Sequence, residues 1–492
     1  MTAPAPALRI GSTAGRGTLL AAILASGMVF LDSTVVNVAL PRLGAELGAT
    51  VAGLQWTVNG YLLMLAAFVL LGGALGDRFG RRRVFLVGVV WFAVASVLCG
   101  LAQGTGWLIA ARFLQGAGGA LLTPGSLSVL QASFDPDDRA RAIGTWSGLS
   151  GVSTALGPLL GGWLIDTLSW RWIFFVNLPL AVGVVLAALR WVPESRDEAA
   201  SRTGAGRRFD VAGALLGALG LGGVTYALID APARGAGSPT VLVAALLGVL
   251  GAVVFVLVER RRGDAAMLPT GLFGSRLFSV LNIFTVVVYA ALGGFTFFLA
   301  VYLQNVVGWS ALLTGLATVP MTLLLLVGSA RAGALAARIG PRLPLTVGPV
   351  VAAAGLLLLR RVGPGASYWV DVLPGVVLFG AGLTLVVAPL TASVLAAVAD
   401  RFAGVASGFN NAASRAGGLL AVAALPLLVG LSGTGYEQKT ALADAFRGAM
   451  LWCAGLLLAG AVLAALLIHR PRREGPPSAE GPSRSGIRRG RG

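Results

Sequence analysis

Apolar stretches of about twenty residues recur along the whole chain, and a helix needs that length to cross the hydrocarbon of a bilayer. A soluble domain of this size could not hide so much oily surface. Of the 492 residues 56% are hydrophobic and 12% charged, and mean hydropathy is +0.84. In lipid each backbone polar group needs a partner inside the protein, so the runs read as helices. Fourteen spans fit: 17–40, 54–75, 84–104, 107–130, 142–165, 173–192, 211–230, 240–259, 277–303, 311–335, 343–361, 370–396, 404–431 and 446–469. Seventy glycines suit that assignment, because small residues let membrane helices approach closely.

The spans group as six, two and six, and an internal echo supports the grouping. Gly73-Ala-Leu-Gly-Asp77-Arg78-Phe-Gly80-Arg81-Arg82 returns as Gly333-Ala-Leu-Ala-Ala337-Arg338-Ile-Gly340-Pro341-Arg342, 260 residues on. The same offset carries Gly148 to Gly408 and Gly157 to Gly417. A membrane hairpin repeated across two halves reads as a transporter built from two related bundles. The expected fold is an all-α polytopic membrane protein, with two pseudo-symmetric six-helix bundles plus two extra central helices. The expected divisions are 1–192 for the first bundle, 193–276 for a linker with the two extra helices, 277–469 for the second bundle, and 470–492 for a disordered basic tail.

The formal net charge of +17 invites a nucleic-acid reading, but its placement argues against one. Arginines crowd one set of loops, including Arg81 to Arg83, Arg207, Arg208, Arg260 to Arg262 and the tail from Arg470 to Arg491. The opposite loops hold only Arg42, Arg171, Arg234, Arg360, Arg361, Lys439 and Arg447. This positive-inside pattern puts both termini in the cytoplasm, with the tail beside anionic lipid headgroups. The preference for Arg over Lys, with abundant Ala and Gly, points to a GC-rich bacterial genome; for a bacterial polytopic helical protein the expected location is the inner membrane.

Cofactor chemistry is not expected. His469 is the only histidine, which excludes a zinc motif needing two, and Lys439 is the only lysine and follows no glycine, so no P-loop is present. Cys99 and Cys453 lie in apolar runs and suggest neither disulfide nor metal. The chain therefore carries no nucleotide-hydrolysing motor of the P-loop type.

Asp32, in the first span, is the most informative side chain. A carboxylate at that depth is costly and usually faces a cavity or a partner. It reads as a site for proton or cation handling, or as an interfacial aspartate making a structural hydrogen bond. Arg112, in the fourth span with Gln115, needs an acceptor and is placed to hold Asp32 ionised, or to bond helix-end carbonyls. Arg415, beside Asn410 and Asn411, is a second intramembrane cation; substrate, a helix dipole or backbone carbonyls are its possible partners. Trp56, Asn59, Tyr61, Trp146, Tyr289 and Phe295 are interfacial anchors or walls of a cavity for flat or cationic molecules. Asp77 sits among Arg78, Arg81 and Arg82 in the basic turn, with Gly73 and Gly80, and reads as a latch between the halves. Gly157, Pro158, Gly161 and Gly162 both bend the fifth helix and let it pack closely.

Together these stretches resemble the major facilitator superfamily, and within it the fourteen-helix drug:proton antiporters. The loop signature matches Gly73 to Arg82, and the helix 4 signature matches Arg112, Gln115, Gly116 and Gly119. The antiporter signature of helix 5 matches Gly157, Pro158, Gly161 and Gly162, and the first-helix signature of that branch matches Leu31 to Pro41. Trp170 to Pro179, and Asn411, Arg415, Gly417 and Gly418, also fit it. The resemblance implies proton-coupled export of a hydrophobic or cationic small molecule by alternating access, by a monomer with no cofactor. It implies that Asp32 and Arg112 serve coupling and that Asp77 with its arginines governs closure. Some relatives that export organic cations carry a carboxylate where Asn59 stands here. Uptake or exchange of a metabolite is the nearest rival and runs against the helix 5 signature. A membrane-embedded enzyme would need clustered intramembrane His, Asp or Glu, and a channel would need rings of like charge.

Overall fold

A computed structural model describes residues 7–195, 210–263, 268–399 and 402–468. The basic tail expected at 470–492 and most of the linker after Pro193 lie outside the described residues. Each expected span is a helix: α1 (Thr13–Leu47), α2 (Val51–Phe79), α3 (Arg81–Gly100), α4 (Thr105–Ser133), α5 (Pro136–Thr167), α6 (Trp172–Trp191), α7 (Val211–Arg234) and α8 (Pro239–Arg262). The rest are α9 (Arg276–Val307), α10 (Ala311–Ile339), α11 (Arg342–Leu359), α12 (Tyr368–Ala396), α13 (Ala403–Leu428) and α14 (Lys439–Leu467). Thirteen are long and apolar enough to cross a membrane. The remaining one, α4, is long enough, but Arg112, Gln115 and its glycines dilute its apolar character.

Several helices outrun the spans read from hydropathy, because that pattern marks only the lipid-immersed part. Helix α1 starts at Thr13, where the Ser12 hydroxyl accepts the Gly15 N–H at 3.0 Å. Helix α5 starts at Pro136, behind the Asp135 cap. Such side-chain caps satisfy the first amides of a helix once it emerges from lipid.

The two halves repeat one packing scheme. Helix α1 packs on α5 and α6, and α9 packs on α13 and α14; α4 lies against α2 and α3, and α12 against α10 and α11. The sequence echo has a structural meaning within this scheme. Gly80 joins α2 to α3 at φ +109°, and Gly340 joins α10 to α11 at φ +88°, a backbone region that L side chains avoid. A Cβ on Gly157 would strike Thr34 of α1, and one on Gly417 would strike the Val286 backbone of α9. Each bundle therefore closes its α1–α5 or α9–α13 pair over a bare backbone.

The halves meet through two related seams, α2 on α13 and α5 on α10. The hairpin α7–α8 leaves both bundles intact, and α7 lies along the first seam, touching α2 and α13. At one end the hairpin is tied by charge: Asp210 caps Gly213 N–H at 2.6 Å and pairs with Arg262, while Glu259 accepts the Leu268 N–H at 2.7 Å. Burial by itself would raise the Asp210 carboxyl, but hydrogen bonds from the Glu259 and Arg262 side chains hold it below the usual carboxylate range.

Hydrogen bonds that join the halves gather at the end of the molecule opposite the chain termini. The Gln55 amide donates to the Val422 and Ala423 carbonyls at 2.7 and 3.0 Å. Gln304, on a π-helical turn closing α9, donates to the Val38 carbonyl at 2.8 Å. The Tyr436 hydroxyl donates to the Ala49 carbonyl at 2.7 Å. The Asp166 carboxylate, at the end of α5, accepts the Ala311 and Leu312 N–H groups at 3.2 and 2.8 Å, so one half caps a helix of the other. The helix-5 glycines fit beneath that cap: a Cβ on Gly162 would meet the Ala311 backbone at 2.5 Å. A charged cap is worth about 1 kcal/mol. Asp166→Ala should therefore shift the closed–open equilibrium of this end by roughly fivefold. The check is labelling of Ala49→Cys, a position 3% exposed, by a membrane-impermeant thiol reagent, against the two buried native cysteines. An unchanged labelling rate would rule out the cap as a gate contact.

Candidate functional site

Four helices of the first half converge on Asp32. The carboxylate is fully buried and Arg112 is 1% exposed, so the pair is isolated from solvent. Arg112 NH1 donates to Asp32 Oδ2 at 2.6 Å and to Gln115 Oε1 at 2.6 Å, and its Nε donates to the Thr57 carbonyl at 3.0 Å. Gln115 Nε2 donates to Asp32 Oδ1 at 2.8 Å and to Ser96 Oγ at 2.9 Å; Asn177 Nδ2 reaches the same Ser96 oxygen at 3.3 Å. The spacing of Arg112 and Gln115, one turn apart on α4, is what lets both reach α1 together. The Tyr61 ring lies 4.4 Å from the Arg112 guanidinium carbon and the Phe174 ring 5.8 Å, so the cation is also covered by aromatic faces.

The expected partnership of Asp32 and Arg112 is thus present, and the structure selects it over a bond from Asp32 to the interface. Desolvating two charges is favourable only when their remaining hydrogen-bonding capacity is met, and here both carboxylate oxygens are engaged. Ser96, Asn177 and the Thr57 carbonyl complete the network and were not legible in the sequence; small polar residues in apolar helices give no signal of their partners.

The other expected site residues divide into groups. Asn59 is fully buried, and neither end of its amide has a protein partner. Trp56 packs on Phe113 and Tyr226, with ring centroids 5.8 and 6.2 Å away, where α7 joins α2 and α4. Trp146 donates to Ser26 Oγ at 2.9 Å, fixing α5 to α1. Phe295 is fully buried against Phe379, 4.4 Å between centroids, in the second bundle. Asn410 donates to Asn282 Oδ1 and Thr285 Oγ1 at 3.1 and 2.7 Å, binding α13 to α9. Tyr289, Asn411 and Arg415 are partly buried, and Arg415 reaches the Phe30 ring of α1 across the seam between the halves. Pro158 shares the helix-5 turn with Gly161, which abuts Val35 of α1, while the Pro158 carbonyl is abutted by Gly315 of α10. That motif therefore packs both within its bundle and across it.

The basic turn was expected to latch one half to the other. Its described bonds lie within the turn and run to the residues just after α6. Arg81 pairs with Asp77 at 2.8 Å and donates its N–H to the Ser195 carbonyl. Arg82 donates its N–H to Glu194 Oε1 at 3.1 Å and its NH1 to the Val192 carbonyl at 3.1 Å. Glu194 lies where a Cβ on Gly80 would stand, 2.7 Å from Oε1, which explains the glycine. Gly73 meets Pro124 of α4. With the opposite end of the molecule closed, these bonds tie the turn to the sixth helix of its own bundle.

The profile of the Major Facilitator Superfamily matches residues 22–422. The chain belongs to this superfamily. The puromycin resistance protein pur8 of Streptomyces alboniger is 37% identical over 463 residues, covering 92% of this chain and 90% of that one. The tetracenomycin C resistance and export protein of Streptomyces glaucescens is 37% identical over 412 residues, covering 84% and 75%. A solved bacterial homologue of the human lysosomal transporter Spinster superposes with a TM-score of 0.64 at 18% identity, over 93% of this chain and 98% of that one. The chain is accordingly a multi-pass membrane protein of a transporter superfamily.

Removing one member of the buried pair strands the other. Arg112→Leu should lower stability by about 3–5 kcal/mol, and Asp32→Asn with Arg112→Leu by clearly less. Thermal unfolding of the purified protein and its variants measures both. Equal losses in the single and double variants would mean that Asp32 and Arg112 do not compensate each other.

Proposed function

We propose that the chain exports hydrophobic antibiotics or drugs from a bacterial cytoplasm in exchange for protons. The observation that carries this reading is a buried Asp32–Arg112–Gln115 cluster inside the transport fold of a chain whose relatives are named for antibiotic resistance and export. The loop arginines support a cytoplasmic location for both termini at the plasma membrane, and with it an outward-facing position for the end closed by Gln55, Asp166, Gln304 and Tyr436. The substrate cavity then opens inward. The working unit is a monomer, and the proton gradient takes the place of a cofactor.

In this mechanism Asp32 is the coupling acid. Charged, it holds Arg112 and Gln115 and so ties α1 to α4. Protonation cancels the charge that Arg112 answers, leaving the guanidinium its bonds to Gln115 and the Thr57 carbonyl and only a weaker one to the neutral acid. The position of α1 is thereby linked to proton occupancy, and α1 also carries Val38, which receives the Gln304 bond of the outer seam. A proton entering across about 100 mV releases about 2.3 kcal/mol, and a one-unit pH gradient adds about 1.4 kcal/mol. One proton can therefore sustain a gradient of a few hundredfold for a neutral substrate.

Everted membrane vesicles from a host stripped of its own exporters test the proposal. Adding an exported drug should dissipate an imposed pH gradient with the wild type, and Asp32→Asn should abolish that response. A drug-susceptibility panel in the same host supplies the compounds. If Asp32→Asn dissipated the gradient at the wild-type rate, Asp32 would not be the coupling acid.

A further inference from the structure

Arg415 is the charge that the buried network leaves over. It lies twelve residues into α13, about 18 Å along the helix axis, and so near the middle of its span. Among the described residues it forms no hydrogen bond or ion pair; its Nε is buried without a partner. Its guanidinium carbon sits 5.9 Å from the Phe30 ring of α1, across the seam between the halves. Backbone carbonyls and a helix end, the two bland partners for such a residue, do not receive it.

No described acid compensates this cation. Asp32 is occupied on both oxygens by Arg112 and Gln115. Asp371 and Asp444 lie near the starts of α12 and α14, where they bond the Ser367 N–H and Arg447. With Asp32 and Arg112 cancelling, the mid-span interior keeps one uncompensated positive charge. Asn411, one turn before Arg415 on α13, presents a second polar group on the same face. The Phe30 ring of α1 supplies an aromatic face beside it, and Tyr289 of α9 lies within electrostatic reach.

We infer that Arg415 is the recognition site for an acidic group, and that the preferred cargo is an aromatic carboxylic or phenolic acid in its anionic form. This rests on the export reading and narrows its substrate class. A guanidinium matches a carboxylate with two parallel N–H bonds, and a ring against Phe30 or Tyr289 sets the rest of the molecule. An organic cation in the same place meets repulsion. Export of an anion in exchange for a proton moves two charges per cycle in the direction favoured by the membrane potential, each worth roughly fiftyfold in gradient at about 100 mV.

A charge series on one ring system tests this. Pyrenebutyrate, pyrenebutanamide and pyrenebutylammonium differ mainly in charge, and their fluorescence anisotropy reports binding to the purified full chain in lipid nanodiscs. At mildly alkaline pH the wild type should bind the carboxylate about tenfold or more tightly than the amide, and the ammonium most weakly. Arg415→Gln should bring the carboxylate-to-amide ratio close to one, while Arg415→Lys, which keeps the charge but not the paired N–H bonds, should leave an intermediate ratio. Absent or unselective binding of the carboxylate by the wild type overturns the inference, as does a ratio that survives Arg415→Gln or falls equally in the lysine variant. The vesicle assay separates the two readings. Amide–proton exchange without carboxylate preference defeats the anion site alone, whereas Arg415-dependent carboxylate binding without proton movement defeats the export reading alone.

Discussion

The buried pair of Asp32 and Arg112 sets the terms for the first bundle. Neither charge is tolerable there alone, and each fixes a helix: Asp32 holds α1, and Arg112 holds α4 while bonding the Thr57 carbonyl of α2. Gln115 extends the network through Ser96 to α3, and Asn177 brings in α6. Five of the first six helices are thus tied to one carboxylate. Any event that changes its charge acts on the packing of the whole bundle rather than on one residue.

The second bundle copies the packing without the network. At the 260-residue offset Asp32, Arg112 and Gln115 fall on Leu292, Val372 and Gly375, which carry neither charge nor amide. The bare-backbone contacts at Gly157 and Gly417 survive in both halves. Duplication therefore preserved what the helix pairs need in order to approach, and only one copy keeps a titratable centre. In the second half the polar residues serve two other ends. Asn282, Thr285 and Asn410 fasten α9 to α13, and Arg415 faces the seam.

Most of the fold was legible in the sequence because lipid enforces a simple rule, an apolar run of sufficient length for each crossing. Helix α4 shows the limit of that rule, since Arg112, Gln115 and its glycines lower the very hydropathy that marks a span. Asp32 and Arg112 were legible for the same reason inverted: a charge inside an apolar run is conspicuous. The bonds that close the outer end were not. Gln55 and Asp166 sit near span ends, where polar residues are ordinary, and their partners are backbone groups some 145 to 368 residues away. The basic turn was legible as a motif but not in its partner, because Glu194 belongs to the linker that follows α6. Aromatic residues were the least informative. Trp56, Trp146 and Phe295 proved to be packing or fastening groups, which composition and spacing cannot distinguish from a cavity wall.

The two sets of polar contacts differ in what can break them. At the closed end, Gln55, Gln304 and Tyr436 donate to backbone carbonyls and Asp166 accepts backbone N–H groups. A side-chain-to-backbone bond of this kind contributes about 0.5–1.5 kcal/mol net, because water can take its place. Several together favour closure by only a few kcal/mol, so the end can open as the seam hydrates. The Asp32 network has no such exchange available: it is buried, and loss of one partner leaves a buried charge. In the proposed exchange it changes state through a proton, not through water. A transporter that alternates needs both kinds of contact, one weak enough to reopen thermally and one that answers only to the ion supplying the energy. Their shared element is α1, which carries Asp32 in its interior and Val38 at the closing seam, six residues and less than two turns apart.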